Sequence, residues 1–213
     1  MQISIPKVCA NSLRTFSEEK YKVKLRAAHA HELVAAYMGY KSKIGLVADK
    51  RYPVSNLFQC EIVVMMPDAF IDQRRQKLSE LPSELPDSYT LGEAVYSALF
   101  DDKWWSSDYP PFRNFRKMAI YLVENNPAYQ GVFRPNFNLP SHHVVETENS
   151  EDHVFITVTH ANQTPDGQLI GCGQTTINLP RVAGRIGFGK PKMSVGQWGP
   201  GARRILGSLG VQA

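Results

Sequence analysis

Two histidines and two glutamates lie within the segment 141–148. His142, Glu146 and Glu148 are separated by even numbers of residues, so a β-strand would place all three on one face, with His143 on the other. One imidazole and two carboxylates could hold a metal ion or carry out acid–base chemistry. Solvated or structural histidines are the simpler alternative, and we predict no metal site, no cofactor and no catalytic residue.

A second pair of histidines lies in an Ala-rich segment near the N-terminus. His31-Glu32 begins like the His-Glu-x-x-His motif of zinc proteases, but Ala35 stands where the second histidine is required. His29 and His31 are poor joint ligands, because side chains two residues apart on a helix point about 200° apart. We therefore predict no zinc site in this segment.

A glycine-rich segment near the C-terminus contains most of a phosphate-binding P-loop. Residues 184–190 match the pattern Gly-x-x-x-x-Gly-Lys, but Pro191 stands where a Ser or Thr must hold magnesium. Proline has neither the hydroxyl group nor the N–H, so we exclude nucleotide hydrolysis by this loop. Its lysines and backbone N–H groups could still contact a nucleic-acid phosphate.

Charge is unevenly distributed along the chain. Residues 1–80 carry 13 Lys and Arg against 8 Asp and Glu, residues 81–152 carry 5 against 11, and residues 153–213 carry 6 against 1. Two basic ends therefore flank an acidic middle, although the net charge is only +4. This asymmetry favours a polyanionic partner, and nucleic acid is the partner we predict.

The N-terminal basic segment has the spacing of a helix-turn-helix. Ala35 is small enough for two helices to cross, Gly39 permits the turn, and Tyr40 and Ile44 could pack back on the first helix. Gly45 departs from the usual pattern and the second helix is short, so a plain helical hairpin with solvated lysines is the alternative. In a helix-turn-helix, four residues would contact phosphates: Lys41, Lys43, Lys50 and Arg51.

Basic and aromatic residues are interleaved in the C-terminal part, where Phe188 and Trp198 lie among the charges. This combination on β-structure suits single-stranded nucleic acid, through phosphate neutralisation and base stacking. An ordinary basic surface is the alternative. The predicted binding residues here are Arg185, Lys190, Lys192, Arg203 and Arg204.

An aromatic pair, Trp104-Trp105, lies in the acidic middle after Asp101-Asp102. It is most simply part of a core. The alternative is a protein-interaction surface, because aromatic residues are enriched at binding hot spots.

Periodicity and turn residues predict an α+β protein with a helical N-terminal unit and a mainly antiparallel β C-terminal part. A Pro-rich linker at 81–88 separates residues 1–80 from residues 88–213, and the two parts can also pack as one domain. Helices are predicted over 26–38, 42–52, 68–78, 89–100 and 112–122, and strands over 57–66, 153–159 and 168–177.

Cys9, Cys60 and Cys172 are distant from one another and odd in number, which favours a reducing compartment. The chain has no apolar run long enough for a membrane span, and its N-terminus lacks the apolar core of a signal peptide. These features predict a cytoplasmic protein that has no membrane partner.

Residues 25–49 contain the pattern His-Ala-His-Glu-Leu-Val-Ala-Ala, an aromatic residue, and then Gly-Tyr-Lys-Ser. This segment resembles an N-terminal helical segment of uncharacterised bacterial proteins from plasmids, phages and integrated elements. The resemblance implies an origin in a bacterial mobile element and no particular chemistry.

These features predict a non-enzymatic nucleic-acid-binding protein, either a transcriptional regulator or an accessory factor, with DNA and RNA both open as ligands. One alternative is an inhibitor or adaptor of a host protein complex that works through Trp104 and Trp105. A further alternative is a metal-dependent hydrolase or nuclease that uses His142 with Glu146 and Glu148.

Overall fold

The computed structural model describes residues 4–100, 107–127, 141–163, 165–166 and 169–197. Its helices are α1 (Ile5–Tyr21), α2 (Ala27–Tyr37), α3 (Lys43–Ala48), α4 (Asp68–Gln76), α5 (Ser88–Leu99) and α6 (Phe115–Glu124). Its strands are β1 (Ile62–Val63), β2 (Ser141–Asn149), β3 (His153–Gln163), β4 (Leu169–Ala183), β5 (Gly187–Phe188) and β6 (Lys192–Gln197). The predicted α+β class is confirmed, with helices α1–α5 in the N-terminal part and an antiparallel sheet in the C-terminal part.

The chain folds into two compact units. Unit 1 consists of Met1–Asn114 and Arg181–Lys190, and unit 2 consists of Phe115–Pro180 and Pro191–Ala213. The bounds of these units differ from the predicted segments 1–80 and 88–213, because residues 88–114 and 181–190 belong to unit 1.

Helix α2 forms the centre of unit 1. Every residue from Leu33 to Tyr40 is buried, so the C-terminal half of the helix is enclosed by its neighbours on all sides. Helices α1, α4 and α5 pack around it. The Tyr37 hydroxyl donates to the Ser88 carbonyl at 2.5 Å, and the Ser12 hydroxyl donates to the Ala94 carbonyl at 2.9 Å. These bonds join α5 to the N-terminal helices.

A small sheet completes unit 1. Strand β5 pairs antiparallel with β1 and with the C-terminal end of β4. The predicted strand over 57–66 is wrong over its first half, because Val54–Gln59 forms a 3₁₀ helix and Phe58 is 62% exposed. All residues from 62 to 65 are buried. Strand β1 is therefore short and covered on both faces. The alternation of apolar residues in the sequence did not correspond to one buried and one exposed face.

Unit 2 contains an antiparallel sheet with the strand order β2-β3-β4-β6. Val154, Ile156 and Val158 alternate along β3 and are buried, and helix α6 packs against β2 and β3. Met118 and Leu122 lie on the buried side of that helix. The hairpin between β3 and β4 lies where the sequence predicted it, around the turn Pro165–Asp166.

No helix within the described parts of the chain has both the length and the apolar character that crossing a membrane requires.

Candidate nucleic-acid interface

The connection between α2 and α3 is a tight turn built on Gly39. Its φ is +85°, in the left-handed region that favours glycine. The N–H of Tyr40 donates to the Ala35 carbonyl at 2.8 Å, and the N–H of Gly39 donates to the Ala36 carbonyl at 2.9 Å. This pair of bonds is a Schellman motif, which terminates α2 and turns the chain towards α3. Ser42 then caps α3 by accepting a hydrogen bond from the N–H of Gly45 at 3.1 Å.

The second basic segment of unit 1, residues 181–190, packs on this turn. A Cβ atom on Gly39 would lie 2.7 Å from the Arg185 Cβ, so the two backbones approach closely. The Arg185 guanidinium lies over the Tyr40 ring, 5.5 Å from its centre. The N–H of Gly184 donates to the Tyr52 carbonyl at 2.7 Å. The two basic ends of the sequence therefore meet within one unit.

A single carboxylate lies where these segments meet. Asp49 accepts hydrogen bonds from the Tyr40 hydroxyl at 2.6 Å and from the Tyr52 N–H at 3.0 Å. Burial raises the pKa of Asp49, but these bonds and the charge of Arg185 outweigh it, so the pKa lies below its usual value. Asp49 therefore stays ionised at neutral pH.

Positive charge is crowded around that carboxylate. Burial and the neighbouring Arg185 lower the pKa of Arg181, as expected when two guanidinium groups are close together. The segments 40–52 and 181–190 carry seven Lys and Arg and only one acidic residue, Asp49. Six of the seven have exposed side chains, and we call these six the basic region: Lys41, Lys43, Lys50, Arg51, Arg185 and Lys190.

Six of the nine predicted nucleic-acid-binding residues, those of the basic region, lie on the two segments of unit 1 that pack together at Gly39 and Arg185. Lys192 lies on β6 in unit 2. Arg203, Arg204 and the predicted protein-interaction pair Trp104 and Trp105 lie outside the described residues.

The helix-turn-helix prediction agrees with the structure in its turn and differs in its second helix. Tyr40 packs inward and is 4% exposed, whereas Ile44 is 79% exposed and does not pack back on α2. Helix α3 has six residues and ends at Ala48, so Lys50 and Arg51 follow the helix. Val47 is 62% exposed, and with Ile44 it forms an apolar stripe on the outer side of α3.

Two motifs with a chemical interpretation have structural roles in unit 1. The Glu32 carboxylate, from the zinc-protease-like pair, accepts from the Lys43 backbone N–H at 3.0 Å and from Arg74 at 2.6 Å, which joins α2 to α3 and α4. In the P-loop-like segment, the Gly184 N–H is bonded to Tyr52 and Ile186 is buried. Phosphate contacts from this segment would therefore come from the side chains of Arg185 and Lys190.

The proposed metal or acid–base residues lie on β2 in unit 2. Glu146 and Glu148 are exposed, and the side chain of His142 lies outside the described residues. In the ranges that the structure covers, no three His, Cys, Asp or Glu side chains are arranged to hold a metal ion. His143 instead faces His160 across β2 and β3, with ring centres 6.1 Å apart.

Sequence reasoning missed how two tyrosines, Tyr40 and Tyr52, hold the basic region together. Tyr40 donates a hydrogen bond to Asp49, and the Tyr52 carbonyl accepts one from the distant residue Gly184. No local sequence pattern predicts these contacts. It also missed Phe155, an exposed aromatic residue on β3. The alternation of Phe155 with Val154 and Ile156 was the signal that could have identified it.

Comparison of the chain with protein-family models, with curated proteins and with solved structures gave no match in any of the three. The resemblance of residues 25–49 to proteins of mobile elements therefore stays a prediction.

Proposed function

We propose that this protein is a non-enzymatic nucleic-acid-binding protein that contacts duplex phosphates through its basic region. In this proposal it acts in the bacterial cytoplasm as a transcriptional regulator or accessory factor of a mobile element. The observation that carries the proposal is the packing of Arg185 on Gly39 and Tyr40, which joins basic residues from both ends of the chain.

The charge distribution between the units supports this assignment. Unit 1 contains 18 Lys and Arg against 14 Asp and Glu, whereas unit 2 contains six of each. The whole net charge of +4 therefore belongs to unit 1. Phosphate neutralisation is the main source of sequence-independent affinity for nucleic acid, so the basic unit is the better candidate for backbone contacts.

Fluorescence anisotropy with a labelled duplex of about 20 base pairs over a range of salt concentrations tests the proposal. We expect Lys41→Ala/Lys43→Ala to weaken binding and to make the plot of log K against log salt shallower by up to about 1.8, because two phosphates are no longer neutralised. The matched control is Lys20→Ala/Lys24→Ala, which removes two exposed lysines near the α1–α2 connection. A duplex affinity that both variants leave unchanged would refute the role of the N-terminal segment.

A protein partner is the second candidate, and Ile44 and Val47 favour it because they are apolar and exposed side by side on α3. Ile44→Ser/Val47→Ser discriminates between the two functions. If α3 docks on a protein, this variant loses a partner captured by the wild-type chain and keeps its salt-dependent duplex binding. If α3 serves only duplex binding, no captured partner depends on these two side chains.

A further inference from the structure

The outward face of the unit 2 sheet carries an aromatic ring on β3, a strand with a neighbour on each side. Phe155 alternates with the buried Val154 and Ile156, and it is 44% exposed. One exposed ring on a surface has no special meaning by itself. Polar side chains surround this ring on the same face of the sheet.

The strand register places a row of polar side chains through Phe155. Glu148 of β2 lies opposite Phe155, Phe155 lies opposite Asn178 of β4, and Asn178 lies opposite Lys192 of β6. Side chains directly opposite one another on one face of a sheet are in contact range. The row therefore has a carboxylate at one end, an aromatic ring and an amide between, and an ammonium group at the other end.

The second row on this face consists of smaller polar residues. It runs from Glu146 through Thr157 and Thr176 to Ser194. The residues that β3, β4 and β6 contribute to the two rows line an open cavity of about 300 Å³. A volume of that order is at the small end of the range for ligand sites, and it suits a planar ring with polar substituents.

The imidazole ring of His153 lies beside the Phe155 ring on the same face of the sheet. The ring centre of His153 lies 5.8 Å from that of Phe155, with 26° between the two planes. His153 Nδ1 lies 2.8 Å from Asn178 Oδ1, and because an amide oxygen only accepts, the imidazole donates from Nδ1. This bond orients the imidazole beside the phenyl ring, so the two rings form a preorganised aromatic surface.

We propose that this face binds an unpaired base of a single-stranded nucleic acid, stacked on Phe155. Exposed aromatic rings on sheets bind bases in this way, because every base has a π-face. The Glu148 carboxylate accepts from the exocyclic amino group of cytosine or adenine, and Lys192 contacts the adjoining phosphate. Glu146 and Glu148 repel phosphates from the β2 side, so the backbone of the strand follows β6.

This inference rests on the proposed function because it adds a second form of the same ligand, at a different site. Unit 2 has no net charge, so stacking supplies more of the affinity here than phosphate contacts do. The two sites therefore differ in salt dependence, with a steep dependence for duplex at the basic region and a shallow one for single strands at Phe155.

Anisotropy with labelled hexamers of cytidine, as RNA and as DNA, tests the inference at low salt. We expect Phe155→Ala to weaken hexamer binding about 5- to 150-fold, the range for loss of one stacked base, and Phe155→Tyr to keep it. Lys192→Ala should make the salt plot shallower by about 0.7. A comparison of the RNA and DNA hexamers shows whether the sugar is recognised.

Tyr89→Ala is the matched control, because Tyr89 is an aromatic residue of α5 that is 56% exposed. It should leave hexamer binding unchanged. Wild-type protein should also prefer cytidine hexamers over uridine or thymidine hexamers, and Glu148→Gln should reduce that preference. Equal hexamer affinity in wild type and Phe155→Ala, or no hexamer binding at low salt, would overturn the inference.

The same variants separate this inference from the proposed function. If duplex binding is absent but Phe155→Ala abolishes hexamer binding, the proposed basic region is wrong and the base site stands. If Lys41→Ala/Lys43→Ala weakens duplex binding while Phe155→Ala changes nothing, the basic region stands and the base site is wrong.

Discussion

Gly39 and Gly45 lie in one short segment but differ in whether the backbone and its surroundings would accept a side chain. At Gly39, φ is +85° and an added Cβ would lie 2.7 Å from the Arg185 Cβ. At Gly45, inside α3, the nearest atom to an added Cβ is the Ser42 Oγ at 3.6 Å, which is an ordinary contact. The first glycine is required by the turn, whereas the second only weakens its helix.

Alanine substitutions at these glycines should therefore have opposite effects on stability. We expect Gly39→Ala to lower the free energy of unfolding by at least about 1–2 kcal/mol, because the left-handed conformation is strained and Arg185 must move. Gly45→Ala should raise it by about 0.5–1 kcal/mol. Urea denaturation measures both values, and a shift of the same sign in both variants would contradict the described turn.

His160 makes the stability of the protein sensitive to acid. Its side chain is 2% exposed, and burial, with a smaller contribution from His143, lowers its pKa from 6.5 to about 4. Between these two values the unfolded chain binds the proton and the folded chain does not, so the free energy of unfolding decreases as the pH falls from 6.5 towards 4. Above pH 6.5 this residue has little effect.

The variant His160→Gln should remove this part of the pH dependence. Between about pH 7 and about pH 5, we expect the wild-type protein to lose about 2 kcal/mol more of its free energy of unfolding than the variant does. Urea titrations at both pH values provide the comparison. Parallel pH profiles would show that His160 is not held neutral by its surroundings.

At the level of elements, local signals predicted the helices better than the strands of unit 1. The α2–α3 turn was predicted because Gly39 and Ser42 act through their own backbone positions. The strand predicted over 57–66 is wrong in its first half because the apolar alternation there depended on Phe58, which is exposed on a 3₁₀ helix. Only the tertiary pairing of β1 with β5 decides which of these residues are extended.

The N-cap of α3, like the turn at Gly39, helps to position the basic region. Since Ser42 is the capping residue, Ser42→Ala should cost about 1 kcal/mol locally and speed amide exchange at Gly45 about fivefold. The control is Ser97→Ala, which changes an exposed serine in the interior of α5 that does not cap a helix. It should not alter amide exchange in α3. Unchanged exchange at Gly45 in Ser42→Ala would show that the cap does not hold α3.

At the level of the whole molecule, the contact between the two basic ends could not be predicted from the sequence. The sequence shows that each end is basic. Tyr40 and Arg185 are far apart along the chain, however, and no sequence motif predicts that they are in contact. The exposed face of the unit 2 sheet could be predicted more easily, because the sequence shows that Phe155 alternates with its neighbours along the strand. The register that aligns Glu148, Phe155 and Lys192 is visible only in the fold.

We propose that both basic segments of unit 1 contact the same nucleic acid. The most direct test is the slope of log K against log salt for duplex binding in three proteins: wild type, Lys41→Ala/Lys43→Ala and Arg185→Ala/Lys190→Ala. Arg185→Ala keeps the Cβ that lies against Gly39, so the turn should be retained. We predict that each pair makes the slope shallower, by about 0.9 for each phosphate that the variant no longer neutralises. A slope that responds to only one pair, or to neither, would contradict the claim.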